Sequence, residues 1–324
     1  MGRRIGRILI RALVTLLMVM SLNFILFRVV PGDPAQLLLA GARASVTEQQ
    51  IDGLRKQWGL DKPLPEQAVA YVWSTLHGDL GYSFKFRGEQ VADLLLARIP
   101  ATLALVGVAQ LFAIMFGVML GLYAGWRRGG AIDQLTTGAS LALYSTPAFW
   151  LGMLMVLVFS TTLGWFPGYG AYSPTGGAGG APSWLADRLR HLVLPSATLA
   201  LGLAGQYVLV ARAAMSDVVT EDYMVTARAK GLTGRQMLMR HAFRNAMLPV
   251  VTLITLNLGY VVAGAITVEA VFNWPGVGGL TVEALNARDY PVLQGIFLLL
   301  GASIVIANIV ADLTYGLLDP RVTQ

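Results

Sequence analysis

Six long apolar stretches limit what this chain of 324 residues can fold into. A bilayer core of about 30 Å needs ~20 mostly apolar residues in a helix. A helix suits such a stretch because every backbone amide must be bonded internally in lipid. The predicted spans are residues 8–30, 101–126, 134–165, 191–215, 247–272 and 292–317.

The composition agrees with a membrane protein. Charged residues make up 13% of the chain and hydrophobic residues 55%, with a mean hydropathy of +0.61. Soluble domains usually carry about 25% charged residues, so too little polar surface remains to cover a water-soluble particle. We therefore expect an all-α membrane protein with six transmembrane helices.

The first apolar stretch has a second interpretation, a cleaved signal peptide, because Arg3, Arg4 and Arg7 precede it. Its apolar run is longer than the ~7–15 residues of a signal-peptide core, and the small residues of 40–44 lie well beyond its end. We predict a retained N-terminal transmembrane helix over residues 1–30.

The distribution of basic residues predicts how the spans are oriented. Residues 1–11, 127–133, 212–246 and 318–324 together hold thirteen Lys/Arg and five Asp/Glu, whereas 31–100, 166–190 and 273–291 hold ten and eleven. Basic loops stay on the cytoplasmic side of a membrane. Both termini are predicted to be cytoplasmic in a multi-pass protein of the cell membrane.

Several kinds of chemistry are excluded or lack a signature. The chain has no cysteine, and its histidines (His77, His191, His241) show no metal-ligand spacing, so we expect no cofactor. None of its four lysines (Lys56, Lys62, Lys85, Lys230) precedes Ser or Thr, so no P-loop is present. Basic residues are dispersed rather than arranged in a stripe, which argues against nucleic-acid binding.

Helix-capping and helix-breaking residues predict the organisation of the loops and of the spans themselves. Residues 31–98 form a sizeable extracytoplasmic region with short helices, one opening at Thr47 and others over 69–76 and 91–98. A flexible connector is expected over 173–183. Gly117, Gly121 and Gly125 lie on one side of a helix, which allows a second helix to approach closely. Pro147 predicts a kink inside the third span.

The loop over residues 221–249 contains strong helix signals. Its first part, through Lys230, has acidic residues early and basic residues late, and Gly231 can take the left-handed conformation that ends a helix. Thr233 followed by Gln236 predicts a capping box that opens a second helix. We expect an L-shaped projection whose first helix exposes apolar residues to a partner's groove: Tyr223, Met224, Ala227 and Leu232. The alternative is an ordinary basic loop that only sets topology.

This projection resembles the coupling loop of binding-protein-dependent ABC transporter permeases of the dipeptide/oligopeptide type. The Ala-x₃-Gly pattern of that family is carried here by Ala227 and Gly231, although Val225-Thr226-Ala227 replaces the wider class's Glu-Ala-Ala, and Phe243-Arg244 replaces its later Leu-Pro. Further segments match the family's B-type subunit: PGDP 31–34, GDLGYS 78–83, PAFWLG 147–152, HLVLP 191–195, VE 268–269, WPG 274–276, ARDYP 287–291 and LDPR 318–321.

The resemblance implies a type I ABC importer permease fold over residues 99–317, with a coupling loop over 216–248 and a cytoplasmic tail over 318–324. It also implies a second homologous permease, one or two ATPase subunits, an extracytoplasmic binding protein and a peptide substrate, with glutathione or nickel chelates as alternatives. The chain itself is then a non-catalytic subunit. The residues expected to couple to the ATPase are Glu221, Asp222, Tyr223, Ala227, Arg228, Lys230, Gly231 and Leu232.

Ionisable and amide residues inside the spans are candidates for a translocation path, because they are costly in lipid. We predict Gln206, Tyr207 and Arg212 in the fourth span, and Asn308 and Asp312, one helical turn apart in the sixth. Asp312 also fits a structural partner. Arg28 and Glu269, near span ends, are expected to reach interfacial water.

Two rival functions have little support. An ion-coupled carrier usually has several ionisable groups at mid-membrane and repeated halves, whereas Asp312 is nearly alone here. An intramembrane enzyme would need a nucleophile turn, a His-Glu-x-x-His pair or an aspartate dyad, and the sequence contains none of them.

Overall fold

A computed structural model describes residues 2–29, 52, 61–86, 88–173 and 181–318. The predicted helix at Thr47, most of the connector and the tail beyond residue 318 lie outside these residues. The helices are α1 Gly2–Phe24, α2 Leu64–Leu76, α3 Val91–Trp126, α4 Ala131–Ser145, α5 Ala148–Met155, α6 Ala181–Val219, α7 Asp222–Ala229, α8 Gly234–Met237, α9 Phe243–Phe272, α10 Val277–Ala287 and α11 Tyr290–Leu318.

Short π-helical segments continue three of these helices: Ile25–Val29 after α1, Val156–Thr162 after α5, and Leu238–Ala242 between α8 and α9. The described residues contain no β-strand, only an isolated antiparallel bridge between Tyr82 and Gln90. The predicted all-α fold is confirmed.

In the described residues, each predicted span falls on helix, except that the third is interrupted at 146–147 and ends at Thr162. Within the described part of the chain, four helical segments are long and apolar enough to cross a membrane: Gly6–Phe27, Val91–Trp126, Ser183–Val219 and Tyr290–Val310. The pair α4 and α5, extended to Thr162, counts as a fifth if it forms one span. The span predicted over 247–272 lies within α9, a helix of 30 residues.

The third predicted span is broken rather than kinked. The two helices meet at an angle of 103°, because Thr146 and Pro147 both leave the helical region, with ψ angles of 127° and 131°. A proline disfavours the α conformation of the residue before it. Two consecutive extended residues therefore turn the chain far more than one lost hydrogen bond would.

The short helix predicted over 91–98 is not separate, which corrects another expectation. It is the first part of α3, a continuous helix of 36 residues that contains Pro100. A proline inside a helix removes one backbone hydrogen bond and kinks the helix, but flanking hydrogen bonds can carry the helix past it. The same holds for Pro195 inside α6.

The chain divides into two compact units, residues Met1–Pro100 with Gly279–Ile309, and Ala101–Gly278 with Val310–Gln324. In the first unit, α1 packs on α11, where a Cβ added to Gly301 would lie 2.4 Å from Val19 Cγ1. The amide of Asn23 donates to the carbonyl oxygen of Gln294 at 2.8 Å.

The glycine stripe of α3 forms the close helix contact in the second unit. A Cβ added to Gly117, Gly121 or Gly125 would lie 2.9, 2.5 and 2.5 Å from backbone carbonyl oxygens of α6. Those oxygens belong to residues one turn apart, so the two backbones run side by side through this segment. The predicted close approach is confirmed, and α6 also packs against α4 and α9.

Candidate functional site

Residues 221–237 form the predicted L-shaped projection, which we call the helical corner. Helix α7 ends at Ala229 with Lys230 as its C-cap, and Gly231 has a φ of +78°. The Gly231 amide donates to Arg228 O at 3.0 Å, and the Leu232 amide donates to Ala227 O at 3.3 Å. This pair of hydrogen bonds is a Schellman motif, which satisfies the last carbonyl groups of a helix while the chain turns.

The second arm of the helical corner begins as the sequence predicts. The Thr233 amide donates to Gln236 Oε1 at 2.9 Å, and the Gln236 amide donates to Thr233 Oγ1 at 3.4 Å. This reciprocal pair is a complete capping box. Both ends of the turn are therefore fixed by local hydrogen bonds, and the corner has a defined geometry before any partner binds.

The side of α7 that faces inward differs from our expectation. Met224 and Ala227 are only 3% and 5% exposed, in the same apolar cluster as Met237, Ala242 and Ala246. The prediction that these two side chains are exposed is wrong. They lie three residues apart on one face of α7, and burying that apolar face against the chain's own helices removes it from water.

The opposite face of α7 is open. Glu221, Asp222, Tyr223, Val225, Arg228, Lys230 and Gly231 are exposed, and Leu232 is half-buried against the cluster. Sequence reasoning missed Val225, which is the most exposed large apolar residue of this helix. The phenol of Tyr223 accepts a hydrogen bond from Asn245 Nδ2 at 2.8 Å, which ties α7 to the start of α9.

Arg212 is held in an ion pair. Its Nε and Nη2 atoms donate to the two oxygens of Asp133, each at 2.8 Å, and the Gly129 amide donates to Asp133 Oδ2 at 2.9 Å. A bidentate guanidinium–carboxylate pair fixes both position and orientation. Asp133 was missed, although an acid in the first turn of a helix after Gly129-Gly130 is a visible signal.

An amide and phenol cluster joins three helices in the second unit. Tyr207 of α6 is fully buried, and its hydroxyl receives hydrogen bonds from Gln110 Nε2 of α3 and, at 3.2 Å, from Asn257 Nδ2 of α9. The same Asn257 amide donates to Gln206 Oε1 at 3.1 Å. Gln206 and Tyr207, two of the residues predicted for the path, therefore share the partner Asn257, and Gln110 completes the cluster.

The remaining path candidates lie on α11. Asn308 is exposed and Asp312 is half-buried, one helical turn apart on the same helix. Their predicted proximity follows from helical spacing.

Glu269 corrects the expectation of an interfacial carboxylate. It is 0% exposed, and both carboxyl oxygens accept hydrogen bonds, from Thr102 Oγ1 at 2.7 Å and from the Gly278 amide at 2.7 Å. The Val277 amide in turn donates to Thr102 Oγ1 at 2.8 Å. The N-terminus of α10 supplies these amides, and it favours a negative group. The side chain of Arg28 lies outside the described residues.

Room for this carboxyl group depends on Gly276. A Cβ there would lie 2.3 Å from Glu269 Oε2. The motif Trp274-Pro275-Gly276 therefore serves packing around Glu269, and the Trp274 indole donates to Ala101 O at 2.9 Å. Glu269, Thr102 and Trp274 together fix the C-terminal end of α9 and the N-terminal end of α10 to the α3 segment that begins at Ala101.

In the first unit, two short motifs meet at a buried carboxylate. Asp289 is 0% exposed and accepts from Ser83 Oγ at 2.5 Å and from the Lys85 amide at 3.0 Å. Lys85 Nζ also donates to Glu283 Oε2 at 2.9 Å on the surface. The segments GDLGYS 78–83 and ARDYP 287–291 therefore form one structural junction.

Comparison with known proteins places the chain in a family. Residues 117–324 match the family described as binding-protein-dependent transport system inner membrane component, and residues 1–106 match its N-terminal companion. A protein of Brucella suis biovar 1 named as a peptide permease is 39% identical over 315 residues, which cover 96% of this chain and 97% of that protein.

Two further proteins are similar. The glutathione transport system permease protein of Escherichia coli strain K12 is 39% identical over 308 residues, 95% of this chain and 94% of that protein. The fold is similar to an inward-facing structure of the MetNI methionine ABC transporter, with a TM-score of 0.56 at 18% identity, covering 70% of this chain and 96% of that one. The chain belongs to the binding-protein-dependent transport system inner membrane component family, and it is an ABC transporter permease with the type I importer fold.

Proposed function

We propose that this chain is one of two permease subunits of an ATP-driven importer that moves peptides across the cell membrane. Its similarity to a peptide permease and to a glutathione permease runs over nearly the whole chain, and glutathione is itself a small peptide. One or two separate ATPase subunits hydrolyse ATP, and an extracytoplasmic binding protein delivers the substrate. Both termini and the helical corner lie on the ATPase side, in agreement with the basic residues of the inner loops.

The observation that carries this proposal is the two-sided construction of the helical corner. One side of α7 is buried through Met224 and Ala227, and the other presents charged and apolar side chains. A short helix fixed on one side and open on the other can receive a partner's groove and pass its movement on. The outward residues are Glu221, Asp222, Tyr223, Arg228, Lys230 and Gly231, joined by Val225.

Ala227 and Leu232 take a different role in this scheme. They lie on the side of the corner that contacts the chain's own core, so they anchor the corner and transmit force to the spans. ATP can shift the equilibrium between inward-open and outward-open states only by binding one ATPase arrangement more tightly. The corner connects that arrangement to α6 and α9, the helices on either side of it.

The amide and phenol cluster is the proposed polar part of the translocation path. Gln206 and Asn257 are half-buried and bonded to each other, and amide groups can exchange hydrogen bonds with the backbone of a passing peptide. Arg212 contributes through its pair with Asp133, which joins α6 to α4. Asn308 and Asp312 remain candidates on α11.

The test uses the φ of +78° at Gly231. The variant Gly231→Val has a β-branched side chain that this conformation excludes, while Gly231→Asn is its matched control, because asparagine tolerates the left-handed region. Both variants are reconstituted with the partner subunits in proteoliposomes. We expect Gly231→Val to insert normally but to lose uptake out of proportion to ATP hydrolysis, and Gly231→Asn to stay near the unmodified level.

Two outcomes would refute the proposal. Uptake by Gly231→Val equal to that of Gly231→Asn would refute the coupling role of the corner. Uptake that continues in ATP-depleted vesicles with an intact proton gradient would refute the ATP-driven importer and favour a carrier.

The similarity to a glutathione permease gives a second candidate substrate. Competition separates the two possibilities. Uptake of a labelled dipeptide by the assembled transporter is measured against excess unlabelled glutathione and against excess unlabelled dipeptide. If only the unlabelled dipeptide inhibits uptake, the result supports peptides in general as substrates. If glutathione inhibits uptake at a far lower concentration than the dipeptide, the result supports glutathione as the substrate.

A further inference from the structure

Helix α2 carries an apolar ridge that no described residue covers. Val69, Trp73 and Leu76 are 71%, 66% and 62% exposed. They are spaced four and three residues apart, so they form one continuous side of the helix. We call these three residues the α2 ridge. A run of large exposed apolar side chains outside a membrane span is unusual for a surface that faces water.

The other side of α2 fixes its depth relative to the bilayer. Tyr71 packs there on the last turns of α1, where Asn23 Nδ2 donates to its hydroxyl at 3.1 Å and the Phe24 ring lies 5.8 Å away. The apolar span Gly6–Phe27 has 22 residues, and at 1.5 Å per residue it is about 33 Å long. That length matches a hydrocarbon core of about 30 Å.

Asn23 lies four residues before the end of this span, about 6 Å along the helix axis. The contact between Asn23 and Tyr71 therefore places α2 at the boundary between acyl chains and headgroups. Helices that lie in this boundary bury an apolar face about 5–10 Å deep. Tryptophan is enriched there, because its ring is apolar and its N–H group is polar.

The ends of α2 are suited to the same position. The helix starts after Pro63, with the exposed acid Glu66 in its first turn. Its C-cap is His77, whose ring lies 4.3 Å from that of Trp73. Polar groups at both ends remain in the headgroup layer while the centre of the ridge faces acyl chains. We propose that α2 is an interfacial helix and that the α2 ridge is covered by lipid, in the leaflet at the far end of α1 from the N-terminus.

The absence of cysteine from the sequence makes a direct test possible. Single variants Val69→Cys, Trp73→Cys and Leu76→Cys are labelled with a nitroxide before the partner subunits are added. The transporter is then placed in nanodiscs of phosphatidylethanolamine and phosphatidylglycerol. Spin relaxation is measured with molecular oxygen, which concentrates in lipid, and with a water-soluble nickel chelate.

Two positions calibrate the measurement within the same chain. Leu22→Cys lies on the exposed apolar surface of α1, and Lys62→Cys lies on the exposed turn just before α2. We expect the oxygen-to-nickel accessibility ratio of the ridge positions to be several-fold higher than at Lys62, and to approach the ratio at Leu22.

Either of two results would overturn the proposal. A ridge that relaxes mainly with the nickel chelate faces water. A ridge that is immobilised and inaccessible to both reagents is covered by protein, either a partner subunit or another segment of this chain. Measurements without the partner subunits then tell these last two apart.

Discussion

The contact between α3 and α6 gives the sharpest stability prediction. Replacement of Gly121 by alanine adds a Cβ 2.5 Å from the carbonyl oxygen of Val208, whereas real Cβ atoms do not approach other atoms closer than about 3.0 Å. The clashing atom belongs to the backbone, so no side-chain rotation relieves it. The two helices must separate by at least 0.5 Å, the difference between these two distances.

The size of the effect follows from that separation. A gap of about 0.5–1 Å loses a quarter to a half of the attraction between neighbouring atoms along the contact. Overpacking of this kind costs about 1–3 kcal/mol. Gly125→Ala meets an equally close oxygen and should cost about as much, while Gly117→Ala, at 2.9 Å, needs almost no movement.

A matched control exists on the same helix. A Cβ added to Gly107 meets nothing within 4 Å, so Gly107→Ala shows only the helix preference of alanine, a gain of up to about 1 kcal/mol. Thermal unfolding of each full-length variant in nanodiscs measures the differences. We expect the order of stability Gly107→Ala, Gly117→Ala, then Gly121→Ala and Gly125→Ala. A Gly121→Ala protein as stable as Gly107→Ala would show that the helices do not meet at this residue.

Three further changes test the buried carboxylates. Arg212→Ala leaves Asp133 buried without its guanidinium partner and should lower the free energy of unfolding by about 3 kcal/mol. This is the low end for such a loss, because Arg212 is one-third exposed. Thermal unfolding of Arg212→Ala and Arg212→Lys, compared with the unmodified protein, measures how much of this stability depends on the bidentate geometry. Glu269→Gln replaces one of two accepting oxygens with a donor facing Gly278 or Thr102, and should cost about 1.5–3 kcal/mol in the same assay. Asp289→Asn opposes its amide to either the Lys85 N–H or the Val292 N–H, because each carboxyl oxygen of Asp289 accepts from one of them. The loosened junction should speed trypsin cleavage after Lys85; an unchanged cleavage rate would contradict the junction.

Local signals in the sequence predicted local structure well. Gly231, Thr233 and Gln236 form their hydrogen bonds with residues only a few positions away in the sequence. The turn and the capping box could therefore be predicted without knowing the rest of the fold. The glycine stripe of α3 was also readable, because three small residues at helical spacing leave a groove that another helix can fill. Its partner, α6, was not identifiable from the stripe itself.

Features that depend on distant segments could not be predicted. From the sequence, Glu269 is predicted to be an interfacial acid. Its hydrogen-bond donors, Thr102 and Gly278, are brought to it by the path of the chain, so the residues adjacent to Glu269 in sequence do not reveal them. Asp133 received no role for the same reason, since Arg212 lies 79 residues further along. A kink at Pro147 was expected, but the full break, with its angle of 103°, depends on Thr146 also leaving the helical region.

The error about Met224 and Ala227 bears on how force would pass through the chain. A helix exposed on all sides could bind an ATPase yet swing freely, and its movement would be lost at the flexible joints. Burial of those two side chains beside Met237 and Ala246, with the Tyr223–Asn245 hydrogen bond, fixes α7 to the start of α9. Because α6 leads directly into α7, a push on the exposed face would move α6 and α9 together in the proposed mechanism. That mechanism assigns the transmission of force to the apolar residues that are turned toward the chain's own core.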